Sequence, residues 1–215
     1  MVKGRGHAGR PLKRRVAVRQ PRKTLVVLCE GERTEPEYLE ALKREPAVRD
    51  VAAVDLRIEP QDSGFVPLTL VRMAIAAQDR ARREEGEIDE FWCVFDVERP
   101  INHPGLKEAL DLAQRHGIRV AVSNPCFEFW LILHFRDHRG WLDNDAARRL
   151  RRSCDGKGDK GLDGAPYMAS RETARLRAAA LSENHARNGT QFPHDNPSSG
   201  MHLLLASVMP SAASG

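Results

Sequence analysis

Three carboxylates stand directly behind two short apolar runs. Glu30 follows Thr24-Leu25-Val26-Val27-Leu28-Cys29, and Asp96 and Glu98 follow Phe91-Trp92-Cys93-Val94-Phe95. Runs of this length with almost no alternation read as strands buried on both faces. In an open parallel sheet the strand C-termini share one edge, where ligands gather. If the two strands are neighbours, their acids converge there. Asp96 and Glu98 are two residues apart, so a brief extended continuation puts both side chains on one side. Three carboxylates packed that closely repel one another in a partly dry cleft. A hard divalent cation resolves the conflict and supplies a Lewis acid for phosphate chemistry. Taken singly, an acid after a strand is ordinarily a turn residue or a helix cap. The joint placement is what points to a metal.

The elements that must position these acids follow from the flanking sequence. Gly31 permits a tight turn and close approach by phosphate, and Arg33 lies beside the same edge. Thr34 and Glu37 have capping-box spacing with Pro36 in the first turn, which predicts a helix over about 35–45. Glu35 and Glu37 then serve capping, although Glu35 could face the acids. A second strand is expected at 52–58. Pro67 opens a helix to about Glu84, with Leu68, Val71 and Ile75 on one side and Arg80, Arg82 and Arg83 solvated. Leu106, Leu110 and Ala113 form a helical stripe that Gly117 stops.

Ile118–Val122 reads as another strand, and Phe127–Phe135 as an apolar buried helix. Pro125 fixes the exit between them, and Ser123 or Asn124 would cap the helix. Glu128 near the helix start suits the helix dipole. Phe127, Trp130, Leu131 and Leu133 read as core, and His134 either faces the cleft or is a satisfied helix histidine. Strand and helix alternate, which predicts an α/β fold with a mainly parallel sheet covered by helices on both faces. Beyond Gly140 the character changes. Residues 153–167 are glycine-rich and polar, 170–186 form a basic, Ala-rich helical segment, and a short helix is expected at about 201–209. This C-terminal third, from about 141, is expected to elaborate a domain spanning 24–210.

Composition narrows the function classes. A chain of 215 residues with 41% hydrophobic and 30% charged residues suits one globular domain. No apolar run reaches 18 residues, which argues against a membrane span and integral membrane association. The start lacks the apolar stretch of a secretory signal, and the four cysteines at 29, 93, 126 and 154 form no CxxC pair. A reducing cytoplasm is the expectation. Nine of the 34 basic residues lie within 1–23 with no acid among them, leaving 25 basic against 30 acidic residues in the rest. A mildly acidic body therefore carries a basic arm, either an attractor of nucleic acid or anionic lipid or a solubilising tail. Arg148, Arg149, Arg151, Arg152, Lys157 and Lys160 form a second basic stretch, suited to a polyanion or to a soluble surface.

Several of these segments resemble the RloB-like proteins. Cys29-Glu30-Gly31-Glu32-Arg33-Thr34-Glu35-Pro36-Glu37-Tyr38 is similar to their amino-terminal motif, and Phe95-Asp96-Val97-Glu98 to their second acidic motif. The long stretch Ser123-Asn124-Pro125-Cys126-Phe127-Glu128-Phe129-Trp130-Leu131-Ile132-Leu133-His134-Phe135 resembles their most distinctive segment, and Asn196-Pro197-Ser198-Ser199 also fits. The resemblance spans roughly 24–209 and leaves the arm outside. It implies a Toprim-like, Rossmannoid fold, in which a glutamate after the first strand and a DxD pair after a later one surround magnesium. Glu30 then takes the first role, and Asp96 and Glu98 take the pair. Glu98 stands where aspartate is common. It keeps the charge on a longer arm, which could coordinate through water. The resemblance also draws Glu128 toward the acids, makes Lys160 a candidate for contact near phosphate, and implies bacterial or phage defence beside an ABC-like or AAA-like ATPase partner.

The leading expectation is a Mg2+-dependent nuclease, with Mn2+ as an alternative ion, that cleaves RNA or DNA. Glu30, Asp96 and Glu98 hold the metal, Glu128 assists, and Gly31, Arg33, Ser123, Asn124 and Lys160 meet substrate. The alternative is a non-catalytic adaptor or nucleic-acid sensor for a partner ATPase. A primer-synthesising enzyme is a third reading, with no further catalytic domain evident to support it. The chain has no GxxxxGK[ST] motif, so it does not read as the ATPase itself.

Overall fold

The computed structural model describes residues 23–49, 54–59, 66–84, 88–99, 102–157 and 162–209. The basic arm, apart from Lys23, lies outside them, as does Lys160. The elements run β1 (Lys23–Cys29), α1 (Thr34–Arg44), α2 (Pro46–Arg49), β2 (Val54–Glu59), α3 (Pro67–Arg83), β3 (Glu90–Asp96) and α4 (Leu106–His116). They continue through β4 (Arg119–Asn124), α5 (Phe127–Phe135), α6 (Asn144–Asp155), α7 (Gly164–Arg187), β5 (Ser198–Ser199) and α8 (Met201–Val208).

The strands form one sheet in the order β2-β1-β3-β4-β5. The pairs β1–β2, β1–β3 and β3–β4 are parallel, and the two-residue β5 closes the edge antiparallel to β4. The unbroken apolar character of β1 has a direct cause in the layers. Leu25, Val27 and Cys29 enter a core shared with α1, α5, α7 and α8, whereas Val26 and Leu28 enter a second core shared with α3 and α4. Alternate side chains point to opposite faces, so a strand sandwiched between two helical layers needs apolar residues at every position. The expected α/β class with helices on both faces is what the chain adopts.

Local signals set most helix ends. Pro67 occupies the first turn of α3, where its missing N–H costs nothing. Gly117 ends α4 in the left-handed region at φ 68°, and its N–H returns to the carbonyls of Ala113 and Gln114. Two features differ from the sequence expectation. A helix, α6, occupies Asn144–Asp155, and α7 begins at Gly164 instead of about 170. The apolar stripe of α6 is thin, because Ala147 and Arg151 are its buried residues. Its clear local mark is Asp143, whose carboxylate accepts the Ala146 N–H at 2.7 Å. Asp163 caps the start of α7 in the same manner through the Ala165 N–H. No described helix is long and apolar enough to cross a membrane.

Candidate active site

In a sheet ordered β2-β1-β3-β4, the chain steps to one side of β1 and then returns to the other. The direction reverses between β1 and β3, the switch point where open α/β sheets bind ligands at their carboxyl edge. Glu30 and Asp96 end these two strands. The Glu30 N–H donates to the Val94 carbonyl at 2.9 Å, extending the ladder by one residue. Its carboxylate then reaches across, and Oε2 accepts the Asp96 backbone N–H at 3.0 Å.

Past Asp96 the chain stays bound to the end of β4. The Val97 N–H donates to the Ser123 carbonyl and the Glu98 N–H to the Pro125 carbonyl, both at 2.9 Å. Val97 is buried in the α3/α4 core. Glu98 sits at φ 62°, a conformation that costs a non-glycine residue of order 1 kcal/mol and recurs at functional sites. Its side chain is 43% exposed, while that of Glu30 is largely covered.

Two further carboxylates close on these three. Glu128 stands in the first turn of α5. Glu35 in the first turn of α1 is only 6% exposed. The crowding is legible in the acidities. Burial raises Asp96 well above the usual carboxylate range, with repulsion from Glu35, Glu128 and Glu30 adding to it and the Phe127 backbone N–H opposing. Burial and the charges of Glu128 and Glu30 push Glu35 up to about 7, against its own backbone hydrogen bond. Glu30 is also raised, by burial first and by Glu98 to a lesser degree, while the Asp96 N–H and His103 pull the other way.

His103 is the residue the sequence reading missed. Its Nε2 lies 2.6 Å from Glu30 Oε1 and 3.7 Å from Glu98 Oε2, so the imidazole stands between two of the expected ligands. A histidine in a Pro-Gly turn before a helix offers no periodic signal, and the loop folds back through a His103 N–H to Val97 carbonyl bond of 3.0 Å. Arg148 of α6 brings a guanidinium to the far side, 3.9 Å from Glu128.

The remaining expected residues are placed differently. A Cβ built on Gly31 would come within 2.1 Å of the Glu35 carboxylate, so the bare Cα is already used by that acid. Arg33 occupies the N-cap position of α1 and pairs with Glu37 at 3.5 Å. The expected Thr34–Glu37 capping box does not form. Thr34 is already helical, and Glu37 accepts the Leu162 N–H at 2.7 Å instead.

Ser123 and Asn124 are fully buried and do not cap α5. The Phe127 backbone N–H in the first turn instead favours the charged form of Asp96. Ser123 Oγ meets Ser199 Oγ at 3.1 Å. Asn124 donates to the Pro193 carbonyl at 3.1 Å and to Asp195 at 3.0 Å, and accepts from Asn196 at 3.1 Å. Ser123 thus ties β5 to the sheet, and Asn124 ties down the loop before it. Lys160 lies outside the described residues. His134 is a satisfied helix histidine. Its Nδ1–H donates to the Trp130 carbonyl at 3.0 Å, and its Nε2 accepts from the Tyr38 hydroxyl at 3.1 Å.

The carboxylate chemistry suits a hard cation, because oxygen donors are crowded and mutually repelling. Their placement does not yet enclose one. Among the described residues no group of three or more His, Cys, Asp or Glu side chains is arranged to hold a metal ion, since Glu30 is turned to His103 and to the Asp96 N–H.

A comparison with protein families matches residues 25–208 to the one described as RloB-like protein. The chain belongs to the RloB-like family. The match runs from Leu25, the third residue of β1, to Val208, the last residue of α8, so this RloB-like chain carries all five acids inside the family region. No similar protein was found among curated proteins, and none among solved structures.

Proposed function

We propose that this RloB-like chain is a divalent-metal-dependent nuclease that cleaves phosphodiester bonds in RNA or DNA. One observation carries the reading: Glu30 and Asp96 end adjacent parallel strands at the sheet's switch point and meet there, with Glu98, Glu35 and Glu128 crowding the same edge. Glu30, Asp96 and Glu98 would hold the ion, and magnesium or manganese bound there would polarise the phosphate as a Lewis acid. Glu30 fixes the end of β3 through the Asp96 N–H, and His103 Nε2 orients its other oxygen from 2.6 Å. The relation to Toprim proteins, a role in phage defence and an ATPase partner belong to the proposal through the resemblance in sequence. The test is cleavage of labelled RNA and DNA by the purified chain with magnesium or manganese, with and without a partner ATPase. Cleavage that Asp96→Asn abolishes supports the reading, and failure to cut any strand under all these conditions overturns it.

A second reading, an adaptor that senses nucleic acid without cutting it, is favoured by one observation. Both oxygens of Glu30 already have protein partners. Nucleic-acid binding that is indifferent to magnesium and to Asp96→Asn would decide for the adaptor.

A further inference from the structure

A cavity of about 560 Å3 opens beside the acids, between the start of α4 and the loop before β5. Leu106, Leu110, Phe192 and Pro193 give it apolar walls, and Asn102, His103, Lys107, Glu108 and Asp111 give it a polar and charged rim. His103 is shared with the acid cluster, because the same imidazole holds Glu30 at 2.6 Å. The cavity and the carboxylates therefore meet across one side chain. Phe192 keeps 37% of its surface exposed at the cavity wall. Its loop is held in place, since the neighbouring Pro193 carbonyl accepts from Asn124 at 3.1 Å and from the Arg99 guanidinium. A ring presented on a loop tied to the sheet is pre-organised for a planar partner.

We infer that this cavity receives an unpaired nucleobase of a strand whose backbone passes the Glu30, Asp96 and Glu98 edge, with Phe192 as the stacking ring and Asn102 as the polar contact. The inference rests on the nucleic-acid reading above and adds the substrate class, a single-stranded or locally opened segment. The volume lies in the range of small-molecule sites. Stacking on an aromatic ring tolerates any base, because every base has a π-face. A base inside a continuous duplex has both faces covered and cannot enter without being extruded.

The test is a binding experiment on the full chain without divalent metal, so that it does not depend on hydrolysis. Short DNA and RNA strands carry 2-aminopurine at successive positions, and the parent protein is compared with Phe192→Ala and Phe192→Leu. The parent should change the fluorescence of one position and bind single strands at least about tenfold more tightly than the matched duplex. Both Phe192 variants should lose the fluorescence change and about tenfold in affinity, whereas Trp141→Ala, an exposed aromatic on another loop, should lose neither. Phe192→Leu keeps apolar bulk, so the loss is attributable to the ring and not to unfolding. Unaltered binding and fluorescence in the Phe192 variants, equal affinity for duplex, equal affinity for a free mononucleotide, or no binding of any strand would each overturn the inference. Strand cleavage that needs Asp96 but ignores Phe192 would remove the base site and leave the nuclease standing. A Phe192-dependent signal from a chain that never cleaves would do the reverse.

Discussion

The backbone N–H of Asp96 donates to the carboxylate of Glu30 at 3.0 Å, across the junction of β1 and β3. The bond makes one acid the structural support of another, so the charge of Glu30 and its role as acceptor can be separated. Glu30→Gln keeps an oxygen for the Asp96 N–H and removes the charge. It should fold with stability within about 1 kcal/mol of the parent, while manganese binding by calorimetry and any strand cleavage fall at least tenfold. Glu30→Ala should cost a further ~1–2 kcal/mol in urea unfolding, because it leaves the N–H without its acceptor.

Removing charge from Asp96 should stabilise the protein. Its carboxylate is buried and crowded by Glu35, Glu128 and Glu30, and asparagine keeps the shape without the charge. Asp96→Asn is expected to raise stability by about 1 kcal/mol, the pattern of a site where function is held against stability. A fall in melting temperature would show that the acids are not in mutual conflict.

Gly31 and Glu35 should behave as a coupled pair. Gly31→Ala places a methyl 2.1 Å from the Glu35 carboxylate and should cost ~1–2 kcal/mol, since Glu35 is buried and has little room to move. In Glu35→Ala that clash is absent, and the same Gly31→Ala change should cost a few tenths. A double-mutant cycle by chemical denaturation should give a coupling of ~1 kcal/mol or more.

His134 predicts a pH dependence of stability. Burial in a cage of Tyr38, Trp130 and Tyr167 lowers it to about 4. The folded state then binds fewer protons than the unfolded one between about pH 6.5 and 4. Its contribution is complete above about 6.5 and declines as pH falls through that window, by about 2 kcal/mol from pH 7.5 to 5. His134→Phe should flatten this slope relative to the parent, even though it destabilises at pH 7.5 by leaving the Tyr38 hydroxyl without its acceptor.

Glu90 gives the opposite end of β3 a contrasting balance. Burial alone would raise it, but Lys23, the Trp92 ring N–H and Ser207 bring it down to about 2. Lys23 approaches within 2.7 Å and Arg119 within 2.8 Å, so cations from β1 and β4 clamp the amino edge of the sheet. The depressed value means stability that is present above about pH 4.5 and lost as pH falls through about 2. Glu90→Gln should cost ~1–2 kcal/mol at pH 7 after allowance for solvent screening, with the difference vanishing near pH 2. Acids are thus neutralised at one edge and left in excess at the other.

Local chemistry made much of this legible. The apolar run of β1, Pro67 before α3, Gly117 after α4 and the wholly apolar α5 each announce their element through a short-range rule. The thin stripe of α6 hid that helix, and the two-residue β5 exists because Ser198 and Ser199 find Asn124 and Ser123, about 75 residues away in the chain. Glu30, Asp96 and Glu98 were marked by their positions after strands. Glu35 was left between capping and facing the acids, and His103 was not marked at all, because a side chain's partner across the fold leaves no period in the sequence.

The sequence by itself determined that acids would stand at strand ends and that the sheet would be buried on both faces, since strand polarity and residue polarity are local properties. Only the tertiary structure decided that β1 and β3 are neighbours, which brings Glu30 to Asp96, and that Ser123 and Asn124 are buried in support of β5 and the loop before it. Strand order and side-chain pairing depend on which surfaces exclude water together, and that is a property of the whole packed chain.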